Sequence, residues 1–91
     1  AHLIGDLLLL PDGEHLLATD LPQNEIVVVR LKDQVVTRRI ATQSGPYALV
    51  LDAANPAIVW ASHWTNSSIG AYRIDTGEAV RTVGTGPHPN E

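Results

Sequence analysis

Cysteine is absent from this chain, and so are methionine and phenylalanine. Without cysteine there is no disulfide, no thiolate metal site and no cysteine nucleophile, and the redox compartment stays open. Two tryptophans and two tyrosines are the whole aromatic complement, so a unit of this size is expected to bury only a thin core. The apolar run Leu7–Leu10 is far too short to span a bilayer, which takes roughly twenty residues as a helix. No run of lysine and arginine interrupts a formal net charge of −4. A nucleic-acid backbone or an anionic membrane is therefore not an expected partner. The chain opens at Ala1 without any methionine, so it is expected to be processed, trimmed or a piece of something longer.

What the chain does contain is a pattern written twice. At a shift of about 43 residues, a spacing typical of propeller blades, Leu16-Leu17-Ala18-Thr19 falls on Val59-Trp60-Ala61-Ser62. Ile26 falls on Ile69, Arg30 on Arg73, Leu31 on Ile74, Arg38 on Arg81 and Thr42 on Thr85. With a slightly shorter shift, Gly45-Pro46 falls on Gly86-Pro87. The division that follows is a lead-in over 1–6, one repeat over 7–46 and a second over 47–91.

Each repeat reads as four short strands. In the first, Leu7–Leu10 stops at Pro11-Asp12-Gly13, where proline presets the turn and glycine accepts positive φ. His15–Thr19 is the second strand, and 20–24 is a loop around Pro22, since proline has no place inside a central strand. The β-branched run Glu25–Lys32 is the third strand, and Val35–Thr42 the fourth. In the second repeat the strands are Tyr47–Asp52, Ala57–Ser62, Ser68–Ile74 and Glu78–Gly84, with His63–Ser67 as a loop and Asp75-Thr76-Gly77 as a tight hairpin turn. Ile26–Val29, Ala48–Leu51 and Ala57–Ala61 are apolar at consecutive positions. This predicts central strands covered on both faces. The fourth strands carry Arg38, Arg39 and Arg81 and are expected on the outside. No helical period survives across turns this closely spaced. The expected fold is all-β: two four-stranded antiparallel blades of a β-propeller, completing a ring by association or as part of a larger propeller.

In Pro11-Asp12-Gly13, Leu17-Ala18-Thr19, Trp60-Ala61-Ser62, Tyr72-Arg73-Ile74-Asp75-Thr76-Gly77 and Gly84-Thr85-Gly86-Pro87 the chain resembles the YVTN-type β-propeller repeats. The resemblance runs over nearly the whole chain from Leu7. It implies a secreted or periplasmic location and a surface or scaffold role. Enzymes on related propellers include lactonases, amine dehydrogenases and the haem d1 domain of nitrite reductases.

Several short motifs carry chemistry elsewhere. Asp75-Thr76-Gly77 is the aspartic-protease triplet, but that chemistry needs two such loops sharing a proton; Arg73 breaks the apolar context, and the triplet reads as a turn. Gly84-Thr85-Gly86 lacks the following helix a dinucleotide fingerprint needs, because Pro87 and Pro89 intervene. Asn66-Ser67-Ser68 is a glycosylation sequon that also reads as a polar loop tip. Among His2, His15, His63 and His88 no metal-binding pair has helical spacing. No catalytic residue, metal site or cofactor motif stands out, and no cofactor is expected.

In a propeller the loops between second and third strands share one rim with the loops between blades. That places His63, Trp64, Asn66, Asp20, Tyr47 and His88 on one rim as the candidate ligand-binding residues. Arg30 and Arg73 recur at one repeat position and are expected to pair with carboxylates or carbonyls near the blade edge. The expected function is a non-enzymatic structural or interaction module. The alternative is a ligand-, metal- or cofactor-binding propeller enzyme using the rim, with His63 and His88 as ligands or acid–base groups. Two blades cannot close a ring, so the expected partners are copies of the chain, as a trimer or tetramer, or other blades of a larger chain.

Overall fold

The computed structural model describes residues 6–63 and 67–84. Eight strands follow one another: β1 (Leu7–Leu9), β2 (His15–Asp20), β3 (Glu25–Arg30), β4 (Val35–Ala41), β5 (Pro46–Leu51), β6 (Ile58–His63), β7 (Ser68–Arg73) and β8 (Ala79–Gly84). They form two four-stranded sheets, β1-β2-β3-β4 and β5-β6-β7-β8, each strand pairing antiparallel with its sequence neighbour. No helix among the described residues is long and apolar enough to cross a membrane.

The repeat is reproduced down to its turns. Leu31 N–H donates to the Glu14 carbonyl, and Ile74 N–H donates to the Ala57 carbonyl at the matching place. Asn24 and Ser67 both take positive φ between second and third strands, and Gln34 and Gly77 both take it between third and fourth. The pairing of third and fourth strands breaks register once in each sheet, between Val28 and Val29 in one and between Ala71 and Tyr72 in the other. These two breaks are again matching positions. Arg30 grips Asp33 through two bonds of 3.0 and 2.9 Å, and Arg73 grips Asp75 through two of 3.1 and 2.8 Å. The recurrent arginine therefore closes the third hairpin turn of each sheet. Its bidentate bond holds Asp33 and Asp75 below the usual carboxylate pKa. With Asp75 held this way and Gly77 N–H donating to the Arg73 carbonyl, the Asp-Thr-Gly triplet is a turn.

The sheets stack face to face. Leu17, Ile26, Val28 and Ile40 of the first meet Leu49, Val59, Ala61 and Tyr72 of the second in one buried cluster, flanked by Leu8, Leu10, Leu51 and Ile74. The expectation of cover on both faces is met on one face only. β6 alternates half-buried with buried positions, and Leu7, Leu9 and Val50 stand 55, 57 and 62% exposed. Two sheets share a single seam, so among the described residues the far face of each meets no further sheet. β8 is exposed along its whole length and β4 nearly so, as expected of outer strands.

Candidate functional site

Two strand ends extend further than the sequence pattern indicates. His63 is the last residue of β6 rather than the first of a loop, and Asp20 is the last residue of β2. Backbone pairing carries both strands one residue on: Asp20 pairs with Glu25, while His63 pairs with Pro46 on one side and Ser68 on the other.

His63 is completely buried, and a polar network surrounds it. Tyr72 Oη lies 2.7 Å from His63 Nε2, and Ser68 Oγ lies 2.8 Å from His63 Nδ1. Ser68 donates to Gln43 Oε1 at 3.3 Å, Gln43 N–H donates to Tyr72 Oη at 3.4 Å, and Gln43 Nε2 donates to Thr82 Oγ1 at 3.2 Å. These directions assign the imidazole. With the Ser68 proton given to Gln43, the Ser68 oxygen accepts from Nδ1–H. Nε2 then accepts from the Tyr72 hydroxyl, and the ring is neutral. Burial pushes the His63 pKa down and the Tyr72 pKa up, which favours that neutral pair. Gly70 leaves the space the imidazole fills: a Cβ there would stand 2.6 Å from His63 Cε1 and 2.9 Å from Tyr72 Oη.

Gln43 belongs to the link between β4 and β5, so this network fastens the inter-sheet link onto β6, β7 and β8 at one end of the seam. Asn24 assists from the first sheet, its Oδ1 accepting from Gly45 N–H at 3.0 Å. Asp6 does so further along, its Oδ2 accepting from Leu49 N–H at 2.8 Å. Chemically, the arrangement is a hydrogen-bonded bracket. The imidazole lone pair is used by Tyr72, and the Ser68 proton points to an amide oxygen.

Of the six rim candidates, Trp64, Asn66 and His88 lie outside the described residues. The other three occur at the same end of the sheets but do not converge. His63 faces the seam. Asp20 alternates with Thr19 and Leu17, which face the seam, so it sits on the far face of the first sheet; there it is 6% exposed, with its Oδ1 accepting from Gln23 N–H. Tyr47 is exposed on β5. The sequence pattern missed Gln43, Ser68, Gly70 and Tyr72. A signal for two of them existed, because Gly70 and Tyr72 replace Val27 and Val29 of the first repeat.

At the opposite end of the seam a cleft of about 410 Å³ opens over Leu10, Val28 and Ile74, with Asp12, His15 and Arg38 at its edge. Asp12 and His15 pair there at 2.8 Å. Among the described residues no three His, Cys, Asp or Glu side chains gather where they could hold a metal ion.

The stacked four-stranded sheets with exposed outer strands are blades of a β-propeller, and solved structures share the arrangement. Hydrazine synthase from Kuenenia stuttgartiensis matches with a TM-score of 0.85 at 19% identity, over 94% of this chain and 24% of that one. The β-propeller domain of Myceliophteria thermophila Cps50 (Swd1) matches with a TM-score of 0.70 at 15% identity, over 86% of this chain and 27% of that one. The chain thus spans about a quarter of the length of either solved chain. At these identities the likeness is one of fold. The chain matches no protein-family model, and no curated protein matches it.

Proposed function

We propose that this chain is a non-enzymatic structural and interaction module: two YVTN-type blades, 7–46 and 47–91 after a lead-in over 1–6, that complete a closed propeller ring and present the loops at one end to a partner. The observation that carries it is the His63 bracket. The one buried histidine among the described residues is spent on fastening the link between the blades to the second blade, with both ring nitrogens engaged. The partner-facing surface is the rim above that bracket. Tyr47 and Asp20 flank it, with His63 as the support beneath; Trp64, Asn66 and His88 complete the candidate set from outside the described residues. The YVTN-type motifs favour an extracytoplasmic location.

The remaining blades of the ring come from copies of this chain or from further blades of a larger one. Propellers hold roughly four to eight blades, and of the even counts that two-blade copies allow we propose six, as a trimer, or eight, as a tetramer. The test is the intact mass of the chain beside the mass of its assembly, with the metal content and visible spectrum of the same sample. Colourless, metal-free protein in a closed assembly is the expected result. Stoichiometric metal or a chromophore that is lost when His63 and His88 are both replaced by alanine would favour a ligand-binding propeller instead.

A further inference from the structure

The repeat makes the seam inside this chain a template for its two open faces. The first side of the seam is the set Leu8, Leu17, Thr19, Ile26, Val28 and Ile40. Moved one repeat on, these positions become Val50, Trp60, Ser62, Ile69, Ala71 and Val83, which form the far face of the second sheet. The second side of the seam is Leu49, Val59, Ala61, Gly70 and Tyr72. Moved one repeat back, it becomes Leu7, Leu16, Ala18, Val27 and Val29, the far face of the first sheet.

Both far faces are apolar at their centres, with Asp20 and the Glu25–Arg39 ion pair at one end of the first, and their bulk is exchanged. The first sheet's open face has Val29 where the seam has Tyr72, so it lacks an aromatic ring. The second sheet's open face has Trp60 where the seam has Leu17, so it gains one. Trp60 is held across that face by its indole N–H, which donates to Asp52 Oδ1 at 2.8 Å. The face that has lost bulk suits the face that has gained it, and packing to interior density requires such compensation.

The polar contacts agree. Across the seam Leu49 N–H is satisfied by Asp6 Oδ2. At the matching position on the open face, Leu7 N–H is already satisfied by Asp6 Oδ1 of its own strand at 2.9 Å. The residue that would have to supply the acceptor from a second copy is Ala48, which has none and need have none. Ala48 takes the place of Asp6 in the other respect too: its N–H donates to Ser62 Oγ at 3.1 Å, as Asp6 N–H donates to Thr19 Oγ1 at 2.9 Å.

We infer that the far face of the second sheet, built around Val50, Trp60, Ile69 and Val83, docks onto the far face of the first sheet of a second copy, around Leu7, Leu16, Val27 and Val29, in the register of the internal seam. This builds on the ring-module reading and names the faces and the occupant. The contact is head to tail, so each copy uses one face of each kind and rotation can close the set into a ring.

Complementation tests it. Leu9→Lys places a charge on the first sheet's open face, and Val50→Lys places one on the second's; both side chains are more than half exposed, so the seam is left alone. By sedimentation velocity at micromolar concentration, wild type is expected as a closed assembly and each variant alone as a monomer. An equimolar mixture is expected to give one-to-one pairs and nothing larger, because only one good face remains on each chain. Circular dichroism checks that each variant keeps its β spectrum, and Leu7→Lys with Val83→Lys is a second pair should the first fail to fold. Self-association of either variant alone would mean like faces meet and would overturn the head-to-tail register. A mixture that does not pair, or a folded monomeric wild type, would overturn the second copy as occupant. That last outcome leaves the ring reading to blades from elsewhere, whereas bound metal or chromophore strikes the ring-module reading itself.

Discussion

Tyr72 meets His63 edge to face, with ring planes at 90° and centroids 5.8 Å apart, and its hydroxyl lies 2.7 Å from His63 Nε2. That pairing fixes the imidazole as a neutral acceptor inside the seam between blades. It makes the stability of the two-blade unit depend on a proton.

Burial holds the His63 pKa below its ordinary 6.5. The unfolded chain therefore takes up a proton that the folded chain refuses, and stability falls as pH drops below about 6.5, levelling off only beneath the lowered folded value. The urea midpoint is expected to be lower at pH 5 than at pH 7.5, with a smaller difference in His63→Gln. Equal wild-type midpoints at the two pH values would contradict this. A separate loss follows at lower pH. Asp12, Asp33, Asp52 and Asp75 have depressed pKa values, mainly from bonds given by Glu14 N–H, Arg30, Trp60 and Arg73 respectively. Their contribution is complete above the ordinary carboxylate range and disappears as pH falls through the depressed values.

Tyr72→Phe keeps the ring and removes the hydroxyl. His63 Nε2 loses its partner at a buried site, and the half-buried Gln43 N–H loses its acceptor. The expected cost is about 1–3 kcal/mol, the usual penalty for leaving a buried polar group unsatisfied. Chemical denaturation measures it, and a change within error of zero would mean that the network contributes nothing to the seam.

Gly70→Ala drives a methyl to 2.6 Å from His63 Cε1. The imidazole cannot withdraw without breaking its bonds to Tyr72 and Ser68, so the cost is expected at about 1–3 kcal/mol, in the range of core overpacking. If the clash is the cause, the doubly substituted His63→Ala, Gly70→Ala chain should lose less than the sum of the two single changes; a strictly additive double-mutant cycle would disprove the coupling.

Gln34 takes φ of 59° where the second repeat has Gly77 at 79°. Gln34→Gly is expected to raise stability by about 0.5–1 kcal/mol, because relief of the left-handed strain outweighs the extra freedom of glycine in the unfolded chain. Gly77→Ala should lower it by a similar amount. Thermal melts of the two variants should move in opposite directions, and a shift of the same sign in both would refute the assignment.

The amino-acid sequence by itself determined the architecture. A pattern repeated at about 43 residues, turn signals such as Pro11-Asp12-Gly13, and β-branched runs such as Glu25–Arg30 dictate local backbone geometry, and each acts within a few residues. The pairing of Arg30 and Arg73 with carboxylates was legible for the same reason, since Asp33 and Asp75 lie three and two residues away. Only the tertiary structure decided what the candidate site became. His63 and Asp20 hold the same repeat position, yet one is sealed in the seam and the other lies on the far face, because alternation along a strand says that two faces exist but not which of them meets another sheet. Tyr72 reaches Gln43 across 29 residues of sequence and Asp6 reaches Leu49 across 43. Contacts at that range depend on how two twisted sheets stack, a property of the packed pair that no local run of residues encodes.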